Sequence, residues 1–118
     1  MSLFFYKLLH IAGIMMLFLA IGGAVLRASL AEKSAKMERF IIINHGLGLF
    51  IILVAGFGQL AKIGMQFPGW VIVKLIIWLV MGALILPIKK KPELNQVWWF
   101  FALAMGVFSG YLALYKPF

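Results

Sequence analysis

The chain has 118 residues, of which 65% are apolar and only 12% are charged, about half the charged share of a soluble domain. Three acids and eleven Lys/Arg cannot clothe a core of this apolarity in water, so an ordinary soluble fold is excluded and lipid is the expected solvent. With no Asp and no Cys, carboxylate-pair hydrolysis, disulfides, thiolate chemistry, Cys-ligated zinc and covalent haem attachment are excluded as well.

A helix needs about 20 apolar residues to cross a hydrocarbon core of about 30 Å, and four such runs occur. The first, residues 3–26, is interrupted by Lys7 and His10 and ends at Arg27. The second, residues 40–61, carries Asn44, His45 and Gln59 and ends at Lys62. The third, residues 70–88, has Lys74 as its only charge. The fourth, residues 97–115, has Trp98 and Trp99 near one end and Tyr111 and Tyr115 near the other, where amphipathic rings suit the head-group layer. The connections are too short to be domains. The sequence therefore predicts one all-α polytopic membrane domain, a four-helix bundle over the whole chain.

An even number of spans puts both termini on one side. Arg27, Lys33, Lys36, Arg39, Lys89, Lys90 and Lys91 lie on the first and third connections, against Lys7, Lys62, Lys74 and Lys116 opposite, seven to four. That asymmetry places the connections in the cytoplasm and both termini outside, in a bacterial inner membrane. The first span is expected to be retained, because Ala24, Ala28 and Ala31 form no clear cleavage pattern. The net charge of +8 flanks apolar segments, so the lipid bilayer, with its anionic head groups, is the expected partner rather than nucleic acid.

In lipid, small residues at helical spacing mark close helix approach. One stripe runs His10, Gly13, Leu17, Ala20, Ala24; a second runs His45, Gly48, Ile52, Ala55 or Gly56, Gln59; a third runs Ala102, Gly106, Gly110, Ala113, and it would serve packing within the bundle or a homodimer. Both histidines therefore turn toward the bundle interior, where an ionisable group is expensive and usually serves a site. Neutral imidazole ligates haem iron in an apolar pocket, which makes haem b or a related tetrapyrrole the expected cofactor, for electron transfer or porphyrin chemistry. His10 is the first-choice axial ligand, His45 a second ligand or second site, and Lys74 and Lys7 the partners of the propionates.

Depth constrains this expectation. With Arg27 and Arg39 marking one interface and a rise of about 1.5 Å per residue, His10 lies about 25 Å and His45 about 9 Å from it. A gap of about 16 Å is too large for two nitrogens on one iron, each about 2 Å from the metal. One His with an open sixth position, a symmetric dimer, or a haem at one site only would remain. Copper is weaker, since Met15, Met16, Met65, Met81 and Met105 form no Met-x-x-Met repeat near a His. A transporter is also weaker, because no membrane-embedded acid or pair of broken helices is evident. No catalytic set emerges, and the reading leans away from an enzyme. The alternative to a cofactor site is a non-catalytic interaction or regulatory subunit whose histidines only hydrogen-bond between helices.

Lys7-Leu-Leu-His10, Arg27, Asn44-His45, Gly56, and Trp70 followed by Lys74 resemble the SirB family of small bacterial membrane proteins. More distantly they resemble HemJ-type protoporphyrinogen oxidases and the CopD membrane domain. The SirB resemblance implies no settled biochemical activity. The HemJ resemblance implies haem b, held with a His in the first span and a Lys in the third, which His10 and Lys74 match. The later His of that third span is missing, the stretch being Gly82-Ala83-Leu84-Ile85-Leu86-Pro87, so SirB is the better match.

Overall fold

The computed structural model describes residues 2–64 and 66–117. Met65, weighed above as a copper ligand, lies outside the described residues. Five helices follow in order: α1 (Leu3–Ala28), α2 (Ala35–Ile63), α3 (Gly69–Ala83), α4 (Ile85–Lys90) and α5 (Asn95–Tyr115), with a 3-10 turn at Pro92–Leu94. There is no strand among the described residues. Since α3 and α4 run on as Gly69–Lys90, four segments are long and apolar enough to cross a membrane, as a multi-pass protein requires.

Local chemistry sets the helix ends. The Ser2 hydroxyl accepts from the Phe5 N–H at 3.1 Å and starts α1. The Ser34 hydroxyl accepts from Met37 N–H at 3.2 Å, so α2 begins at Ala35, five residues before the apolar run at Phe40. Its first turns thus carry Lys36, Glu38 and Arg39 into the head-group layer. At its other end Gly64 adopts φ 66°, a left-handed closure that costs glycine little. The third span, expected as one helix to Ile88, breaks at Leu84. Pro87 lacks the N–H that would bond the Ala83 carbonyl four residues back, and its ring crowds that oxygen.

α1 is the central helix, packed along α2 and touching α4 and α5; α5 also lies against α3. The α1–α2 seam is closed by glycine. A Cβ on Gly48 would sit 2.9 Å from the Leu17 nitrogen and 3.0 Å from the Gly13 oxygen, so the two backbones meet there. Leu17, Ala20, Ile21, Ala24 and Val25 continue the buried face of α1, and Trp70, Val71, Ile77 and Met81 supply that of α3. The outer surface is apolar, with Leu19 at 78% and Leu114 at 82% exposure, as a lipid-facing surface requires.

The expected stripe on α5 is rotated. Ala102 and Leu112 are buried and Gly106 meets the Phe18 ring, but Gly110 is exposed and faces open space. Leu112, not Gly110, continues the inward face.

Candidate functional site

Each histidine donates one ring nitrogen to a carbonyl of another helix. His10 Nδ1 lies 3.1 Å from the Ile52 oxygen on α2, and His45 Nε2 lies 3.1 Å from the Met81 oxygen on α3. A carbonyl only accepts, so the bonded nitrogen carries the proton: Nδ1 in His10 and Nε2 in His45. Each neutral ring keeps one unprotonated nitrogen, Nε2 of His10 and Nδ1 of His45. The Trp78 indole N–H adds a third bond of this kind, to the Leu49 oxygen at 2.9 Å. Together they tie α1 to α2 and α2 to α3 at depths where water offers no alternative partner.

The sequence reasoning did not reach the Trp78 bond. Its signal was an indole N–H in the middle of an apolar span, which must find an acceptor. Among the described residues every buried side-chain nitrogen or oxygen has a hydrogen-bond partner.

The structure does not bring the two histidines together. Gly48 opposite Leu17 and Gly13, and Ile41 against Gly23, set an antiparallel register that puts His45 level with about residue 19 of α1. That is about nine residues from His10, or ~14 Å along the helix. Gly13 and Gly48 close the seam between these two levels, so no slot for a macrocycle bridges them. His10 packs at its Cε1 edge over Gly56.

Lys74 is half-buried on α3, at the same end of the bundle as His10 and Lys116. The Lys116 Nζ stands 5.7 Å from the Trp70 ring centroid. Lys7 stays apart: it is exposed, with its Nζ 6.0 Å from the Phe4 ring, and reaches toward the head groups. The side-chain acids Glu32, Glu38 and Glu93 all belong to the opposite end of the bundle, so none of the three faces Lys74 or Lys116.

The opposite end holds an ion-pair trio. Arg27 Nη2 donates to Glu38 Oε2 at 3.0 Å, and Lys89 Nζ donates to Glu38 Oε1 at 2.6 Å. Arg27 also donates to the Ser34 carbonyl through Nε and Nη2, both at 3.3 Å. One carboxylate thus joins α1, α2 and α4, and sets the first and third connections side by side, as an up-down bundle demands. The sequence clue was Glu38, an acid inside the first turns of a helix among seven cations.

Among the described residues no group of three or more His, Asp or Glu stands ready to hold a metal ion. The chain matches no family model, no curated protein and no solved structure.

Proposed function

We propose that this chain is a non-catalytic multi-pass membrane protein, an interaction or regulatory subunit whose histidines clasp its helices. The observation that carries this reading is the commitment of both imidazole protons to carbonyls of neighbouring helices, at 3.1 Å each. An imidazole so engaged satisfies itself in lipid without a guest. The cation count favours a bacterial inner membrane with both termini outside. Similarity to the SirB family belongs to the same reading. So does a homodimer through the exposed Gly110 side of α5, which native mass spectrometry in detergent would read directly.

A second reading is favoured by one observation: the Nε2 of His10 is left over from its carbonyl bond, at the end of the bundle that also carries Lys74. A carbonyl bond at Nδ1 is the arrangement that orients a metal-ligating imidazole. In that reading His10 holds haem b, Lys74 meets a propionate and His45 remains a clasp or a separate site. The haem would supply one-electron transfer.

Purification from haem-supplied cells, followed by a reduced-minus-oxidised spectrum, separates the two. The clasp reading expects a colourless protein in which His10→Gln and His45→Gln lower thermal stability and nothing else. A Soret band in the wild type that His10→Gln abolishes would replace it with the haem reading.

A further inference from the structure

Two adjoining cavities lie at the Arg27–Glu38–Lys89 end, away from both histidines. The smaller, about 90 Å³, has an apolar floor that includes Ala24, Ala28 and Ile85 and a charged rim of Arg27, Lys33, Glu38 and Lys89. The larger, about 330 Å³, is a groove on the α1–α2 surface with Met16, Leu19 and Gly23 along one side and Met37, Phe40 and Asn44 along the other. Arg27 and Ile41 line both, so the groove opens into the charged rim.

We infer that this composite is a binding site for one anionic phospholipid, its phosphodiester on the rim and an acyl chain in the groove. Three physical facts converge on that occupant. From Arg27 to Met16 is 11 residues, about 16 Å of helix, which is about half of a hydrocarbon core of about 30 Å. The groove therefore spans one leaflet, from the charged layer to the midplane. Its lining is apolar, apart from Arg27 at the mouth and Asn44, whose amide nitrogen is occupied by the Phe40 carbonyl at 2.9 Å.

The charge is the third fact. On the rim three cations face one carboxylate, which Arg27 and Lys89 already share. Among the described residues Lys33 pairs with no acid: it is exposed, and its Nζ donates to the carbonyl of Leu30, in the connection after α1, at 2.8 Å. The rim thus carries a surplus of positive charge at the depth of lipid phosphates. A head group with its own ammonium brings no net charge to meet that surplus, whereas a head group with only a phosphodiester does. Lys36 and Arg39, in the first turns of α2, extend the positive field outward.

The test measures binding of dioleoylphosphatidylglycerol and dioleoylphosphatidylcholine to the full-length chain in detergent by native mass spectrometry, with thermal stability followed alongside. The expected result is one tightly held phosphatidylglycerol per chain, at least about fivefold preferred over phosphatidylcholine. Lys33→Gln should reduce that preference by about threefold or more, because it removes the unpaired cation and leaves the Glu38 trio in place. Leu19→Trp, at an exposed position on the groove wall, should weaken both lipids together.

Equal binding of the two lipids would overturn the inference, as would a preference unchanged in Lys33→Gln. Inorganic phosphate giving the same thermal stabilisation as the lipid would locate the recognition in a free anion and also overturn it. A dimer that excludes lipid from the groove would assign the groove to a second copy of the chain.

Discussion

Gly48 and Gly110 occupy equivalent places in the sequence pattern, each on a helical stripe of small residues, yet their surroundings are opposite. At Gly48 the backbones of α1 and α2 touch, and Gly13 meets it from the other side. At Gly110 open space lies where a side chain would go. The difference teaches that a small residue marks a helix seam when a second small residue answers it at the same depth. The α1–α2 seam has that reciprocity, whereas α5 packs through Ala102, through Leu112 and through Phe18 over Gly106. The seam also holds the clasp of His10, and α5 takes part in none of the three side-chain bonds described above.

The largest effect should come from closing the tight side of this contrast. Gly48→Ala drives a methyl into the Leu17 backbone, which cannot move like the end of a side chain. It should cost about 2–3 kcal/mol in a detergent unfolding titration, in the range of overpacked interiors. If Gly48→Ala unfolds like the wild type, the seam is looser than described.

His45→Ala comes next. It removes a hydrogen bond worth at most about 1.7 kcal/mol between membrane helices and leaves the Met81 oxygen facing a void. A loss of about 2 kcal/mol is expected, and His45→Gln should recover part of it by offering an amide N–H to the same oxygen. Equal losses in both variants would show that ring volume, not the hydrogen bond, stabilises that level of the bundle.

Trp78→Phe keeps the bulk and deletes only the donor to Leu49. The expected cost is about 0.6 kcal/mol, the average for an interhelical bond in lipid, read as a small shift in the thermal midpoint. At the other extreme, Gly110→Ala should leave the monomer within about 0.5 kcal/mol of wild type or slightly stabilise it through helix propensity. A loss like that of Gly48→Ala would mean that α5 packs against something through Gly110, a second copy being the first candidate.

The four long apolar helices were legible in the sequence because a bilayer imposes a length on apolar runs. The polar start of α2 was not, since Lys36, Glu38 and Arg39 read as loop until the Ser34 cap is recognised. The break before Ile85 was written in Pro87 but masked by an unbroken apolar composition. The inward faces of α1 and α2 were read from periodicity, and the separate depths of His10 and His45 from counting rises. Helical spacing could not set the rotation of α5, because Gly110 and Leu112 lie within one turn and only the neighbours choose between them. Nor could it name Ile52, Met81 or Leu49 as acceptors. The groups that bind the histidines and Trp78 are backbone oxygens, which every residue has and no side-chain pattern reveals.

The account rests most directly on where the imidazole protons sit. Nitrogen-15 NMR of histidine-labelled protein at about pH 8, above the ordinary imidazole range, reads the tautomers without perturbing the fold. The structure predicts His10 protonated on Nδ1 and His45 protonated on Nε2, two different tautomers in one spectrum, both proton signals slow to exchange with water. His10 protonated on Nε2, or His45 on Nδ1, would contradict the carbonyl clasps and the division of roles built on them.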